Sequence, residues 1–123
     1  LGLMMAMESL FSHGASEVSH QVSERTAFFL RQESEEREAL YDDMRGHYSL
    51  RSMIAHGGTS KKKKSQDMTK AFGDLLLILQ SALLRVLGDP ELTNVFQSAS
   101  RDALNRALRT LVFHGRIEVR SGE

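Results

Sequence analysis

Between Met68 and Leu87, the positions Met68, Phe72, Leu75, Leu76, Leu79, Leu83, Val86 and Leu87 recur at helical spacing. A stripe this broad exceeds one face of an amphipathic helix. It predicts a helix packed by neighbours on most of its circumference, the central helix of a bundle. Proline occurs once, at Pro90. β-Branched residues are scattered, so nothing resembles a strand before the short tail Ile117-Glu118-Val119. The expected class is all-α, an up-and-down bundle of about four to six helices.

Helix boundaries follow from local chemistry. A first helix is predicted from about Leu3 to Phe11, stopping at His13-Gly14. Ser16 is a suitable N-cap for a second, with Val18, Val22, Thr26, Phe29 and Leu30 on its apolar side and an end near Gln32. Ser34 caps a third, whose first turn carries Glu35, Glu36 and Glu38 where negative charge suits the helix dipole. The acidic run Glu33 to Asp43 is therefore read as a solvated face. Residues Gly57 to Ser65, small and cationic, are expected to form a mobile linker. Gly88 stops the apolar helix, and Asp89-Pro90 supplies an N-cap and first-turn proline for a short one. A last helix carrying Leu104, Ala107, Leu108, Leu111 and Val112 ends at His114-Gly115.

The chain has 123 residues, 41% of them hydrophobic, enough for one domain with a substantial core. It opens in mid-pattern on Leu1, as expected of a piece of a longer protein with an upstream domain. Met4, Met5 and Met7 are then read as a sticky surface for that region or for a second copy. Acidic and basic residues balance at 16 each, so no global field draws the chain to nucleic acid. Lys61, Lys62, Lys63 and Lys64 concentrate the positive charge locally and could contact a phosphate backbone. Cysteine is absent, which excludes disulfides and thiolate metal sites and fits a reducing cytoplasm. The apolar run Leu75 to Leu79 is far shorter than the ~20 residues of a bilayer span, so a soluble chain with no membrane contact is expected.

The segment Tyr48 to Gly58 carries the clearest chemistry. On a helix turning about 100° per residue, Leu40, Met44, His47, Arg51 and Ala55 share a stripe with Tyr48 at its border. An arginine among inward-facing residues needs a partner, a cleft or an interface. Glu24 and Asp74 are candidate partners. His56 falls about 140° from Arg51 on a regular helix, so the two converge only if the last turn unwinds at Gly57-Gly58. His13, His20, His47 and His114 show no metal-ligand spacing, and no metal or other cofactor is expected. Phe28, Phe29, Phe72, Phe96 and Phe113 occupy apolar helical positions and are assigned to the core.

Met7-Glu-Ser-Leu-Phe11, Glu17-Val-Ser-His20, Arg25-Thr-Ala-Phe-Phe-Leu30, Tyr41 to Tyr48 and Leu50-Arg51-Ser-Met-Ile-Ala-His56-Gly57 together resemble the Apea-like branch of the HEPN superfamily. The resemblance is clear over residues 3–58 and looser over 70–88. It implies a helical bundle and a metal-independent endoribonuclease of the kind found in bacterial toxin and anti-phage defence systems, working as a homodimer with two Arg-His motifs facing each other. It implies that the ribose 2′-hydroxyl attacks its own phosphodiester, with His56 moving the proton and Arg51 stabilising phosphoryl charge. Tyr48 and Ser52 would lie near the substrate. Other branches of the superfamily are binding or dimerising modules, so a non-catalytic dimerisation, nucleotide-binding or RNA-binding module is the alternative.

Overall fold

The computed structural model describes residues 2–13, 17–55, 61–98 and 100–117, and side chains within them except at 54–55, 61–67 and 98. Among the described residues there are six helices and no strand. In chain order they are α1 (Gly2–Phe11), α2 (Val18–Leu30), α3 (Ser34–Ala55), α4 (Lys61–Gly88), α5 (Pro90–Ser98) and α6 (Arg101–His114). The chain is an all-α helical bundle, and of the tail predicted to be extended only Ile117 is described.

Cap chemistry sets several boundaries, those at Asp89 and Gly115 as expected and that at Ser100 in addition. Asp89 Oδ1 accepts hydrogen bonds from the backbone N–H of Glu91 at 2.9 Å and of Leu92 at 3.5 Å, satisfying donors that a helix start leaves open. Ser100 does the same for α6, its Oγ accepting from the Ala103 N–H at 3.1 Å. Gly115 closes α6 at φ 75°, a left-handed conformation that favours glycine, and its N–H returns to the Leu111 carbonyl at 2.7 Å. The start of α2 differs. Glu17 stands at the cap position with φ 53° and makes no side-chain cap hydrogen bond, while Ser16 lies outside the described residues.

The centre of the bundle is α2, not α4. Val22, Ser23, Arg25, Thr26, Ala27 and Phe29 of α2 are all buried, and this helix packs against α1, α3, α4 and α6. Phe29 meets Phe11 at a ring-centroid distance of 5.4 Å and Phe96 at 5.5 Å, joining α1, α2 and α5 in an aromatic cluster. Arg25 is only 6% exposed; it donates to the Phe11 carbonyl at 3.0 Å and to Asn105 Oδ1 at 2.6 Å, so one guanidinium ties α1 and α6 to α2. Burial pulls its pKa down, although nearby Glu24 opposes the shift. Met4 and Met7 belong to this core, so of the three early methionines only Met5 is a surface residue.

The apolar stripe of α4 is covered on one side only. Leu75, Ala82 and Val86 are buried, whereas Phe72, Leu77, Leu83, Leu84 and Leu87 are exposed, Leu84 at 72%. Periodicity reports which positions are apolar; the neighbours decide which are covered, and here α1, α2, α3 and α5 reach a single arc. The stretch Met68–Gly88 is long and apolar enough, by length and composition, to cross a membrane, with Lys70, Asp74 and Arg85 inside it. The shorter run Leu75 to Leu79 does not reveal this. Helix α4 also begins at Lys61, so Lys61, Lys62, Lys63 and Lys64 form its first turn rather than part of a linker. Lysine propagates a helix well once the downstream turns exist, even though cations at that end oppose the dipole.

Candidate functional site

Three helices build the surroundings of Arg51. It sits late in α3, opposite α1, and its Nη1 lies 3.2 Å from Glu8 Oε1 in an ion pair that joins the two helices. The Tyr48 hydroxyl donates to the same carboxylate oxygen at 3.1 Å. Tyr48 and Arg51 are three residues apart and so share a helix face, which lets one carboxylate serve both. Partial burial raises the Tyr48 pKa strongly, and the charge and hydrogen bond of Glu8 push it further; Arg51 acts in the opposite sense. The phenol is therefore a neutral donor at physiological pH.

The partner of Arg51 is thus Glu8, not Glu24 or Asp74. Glu24 instead approaches His20 at 3.6 Å, and His20 Nδ1 shares a hydrogen bond with the Tyr41 hydroxyl at 2.8 Å; these residues line a separate cavity of about 360 Å³. Asp74 lines a groove of about 590 Å³ between α3 and α4 together with Asp43, His47 and Lys70.

A second and more apolar cavity, about 690 Å³, opens beside Arg51. Leu3 and Met4 of α1, His47, Leu50 and Arg51 of α3, and Met68, Phe72 and Leu75 of α4 are among its walls. It exists because α3 and α4 touch each other sparingly while both pack onto the rest of the bundle. Arg51, its side chain 39% exposed, is the cation on this wall, and half-buried His47 is the titratable group. Burial pulls the His47 pKa below its usual value, and Lys70 adds to that; Asp74 and Asp43 oppose. The imidazole is neutral at pH 7, with one nitrogen donating and the other accepting.

The structure brings Arg51 and Tyr48 together through Glu8. Ser52 follows on the exposed side of α3 and is not among the residues lining this cavity. His56 lies outside the described residues, as does the glycine pair at which the last turn was expected to unwind. The lysines 61–64 are placed at the start of α4, the helix that forms one cavity wall. Two residues gain importance that sequence reasoning withheld. His47 shares the cavity with Arg51, a proximity already encoded in their four-residue spacing. Phe72, assigned to the core, is 59% exposed and forms part of the cavity wall. Phe113 is likewise exposed, with Arg109 over its ring at 5.8 Å.

Among the described residues, no group of three or more His, Asp or Glu side chains is placed to hold a metal ion. No protein-family model, curated protein or solved structure matches this chain.

Proposed function

We propose that this chain is a HEPN-type, metal-independent endoribonuclease module, acting as a homodimer in a bacterial toxin or anti-phage defence protein of the cytoplasm. The observation that carries the reading is the setting of Arg51: a guanidinium anchored on Glu8 and kept partly accessible at the side of a sizeable cavity. A partly exposed ion pair contributes only about 0–1 kcal/mol to stability, so stability alone is a weak reason for its position. Held by one nitrogen, the fork keeps further N–H donors with which to meet phosphoryl oxygens.

The chemistry balances without a cofactor. The 2′-oxygen attacks the adjacent phosphorus as its proton passes to a base, the bond to the 5′-oxygen breaks, and that oxygen takes up a proton. The ends formed are a 2′,3′-cyclic phosphate and a 5′-hydroxyl. His56 is the assigned proton carrier, and Arg51 offsets the charge that develops on phosphorus-bound oxygens. Ser52 and Tyr48 flank the arginine along α3, and Lys61, Lys62, Lys63 and Lys64 add backbone attraction that weakens with salt.

The test is cleavage of mixed RNA by the purified chain in EDTA. Replacing His56 by Ala should slow scission by about 10²–10⁴-fold, and replacing Arg51 by Ala by about 10²–10³-fold. Equal cleavage by all three proteins would reject the assignment.

One observation favours a second reading, a non-catalytic module that dimerises or docks a further domain. Leu77, Leu83, Leu84 and Leu87 leave one side of α4 uncovered, an apolar surface of the kind that marks interaction sites. On this reading the Arg51–Glu8 pair is a structural tie between α1 and α3, and RNA is not cut.

A further inference from the structure

We propose that the apolar cavity beside Arg51 seats a nucleobase of single-stranded RNA, stacked on Phe72. The inference rests on the nuclease reading for its phosphate, and on the geometry of the cavity for its base.

A nucleotide is a flat, weakly polar ring tied to an anion. Apolar side chains from α1 and α4 face this cavity, with a guanidinium and an imidazole from α3 on the same boundary. Its volume of about 690 Å³ lies inside the usual range for small-ligand sites, roughly 300–1,000 Å³, and exceeds what one base requires. Phe72 supplies what a base needs and a bundle core does not: an aromatic side chain 59% exposed on a cavity wall. Met68, one turn earlier and also exposed, extends that wall. Base stacking on an aromatic ring next to a cation that takes the backbone is how single strands are held without sequence-specific grooves.

His47 favours a base over the other amphipathic anion that could use an apolar pocket with a cationic edge, a fatty acyl carboxylate. An alkyl chain would offer the imidazole nothing polar from within this cavity, leaving it only the neighbouring groove that it shares with Asp43, Asp74 and Lys70. A base edge carries donors and acceptors that can meet it.

The probe is a fluorescently labelled 2′-O-methyl oligoribonucleotide, which cannot undergo the cleavage reaction. Its binding is read by anisotropy in EDTA. Phe72→Ala should weaken binding by about five- to a hundredfold, and Phe72→Trp should restore it. Because Phe72 is largely exposed, both variants should melt at the wild-type temperature, which separates stacking from folding. An oligonucleotide bearing abasic positions should bind more weakly and be indifferent to Phe72→Ala.

Wild-type affinity retained by Phe72→Ala overturns the base seat. RNA scission by the wild-type chain that is lost in His56→Ala would still uphold the nuclease reading in that case. Phe72-dependent binding without any scission upholds the seat and removes the nuclease. Failure of the wild-type chain to bind the probe overturns the seat, and decanoate raising the melting temperature where the oligonucleotide does not assigns the cavity to an acyl anion instead.

Discussion

The two sides of this bundle invert what their compositions lead one to expect. Around α2, a helix that includes Ser23, Glu24, Arg25 and Thr26, six of 13 residues are buried and the aromatic cluster closes over them. Around α4, the most leucine-rich helix, Leu77, Leu83, Leu84 and Leu87 remain exposed and cavities open toward α3. A polar helix becomes the hub here because its one buried charge finds partners, Arg25 with Phe11 and Asn105, while the small hydroxyls of Ser23 and Thr26 are buried without a hydrogen-bond partner among the described residues. An apolar helix is left half-covered when its neighbours reach only one arc. The closed side supplies stability, and the open side holds the candidate chemistry.

The widest predicted gap between the two sides is in unfolding free energy. Phe29→Ala should cost about 3–5 kcal/mol in urea denaturation, the range for truncating a fully buried phenylalanine. Leu84→Gln on the open side should change stability by less than about 0.5 kcal/mol. Comparable losses for the two variants would show that α4 is packed in solution, as the dimerising reading requires.

A smaller effect is expected at Arg25. Arg25→Met keeps the aliphatic bulk but leaves the Phe11 carbonyl and the Asn105 amide oxygen without their donor, which should cost about 1–3 kcal/mol. An unchanged denaturation midpoint would mean that water or a side-chain shift replaces both contacts.

The smallest effect concerns pH. Because burial depresses the His47 pKa, the unfolded chain binds a proton near pH 6.5 that the folded chain resists. Stability is therefore unaffected above that value and falls as pH drops through it toward the folded pKa. His47→Gln should make the decline between pH 7 and 5 shallower than in the wild-type chain. Parallel declines would place this histidine in open solvent.

The contrast between the sides also explains what could be read from residues alone. Asp89-Pro90, Ser100 and Gly115 act through neighbours a few positions away, and the boundaries at Asp89-Pro90 and Gly115 were visible without coordinates. The late-α3 stripe carrying His47 and Arg51 was visible for the same reason. The Glu8 partner of Arg51 was not: 43 positions separate them, and only the packing of α1 on the bundle brings them together. Phe72 and Leu75 are indistinguishable as apolar helix positions, yet the first is exposed and the second buried. Periodicity cannot rank positions within so broad a stripe. The lysines 61–64 were misplaced because their charge and the preceding glycines resemble a linker, while helix propensity favours continuation from the turns that follow.

The most direct measurement is end-group analysis of RNA incubated with the purified chain in EDTA. The account predicts 2′,3′-cyclic phosphate and 5′-hydroxyl ends that accumulate with the wild-type chain and are lost with His56→Ala. Intact RNA after incubation with both proteins, or cleavage that leaves 3′-hydroxyl and 5′-phosphate ends, would contradict it.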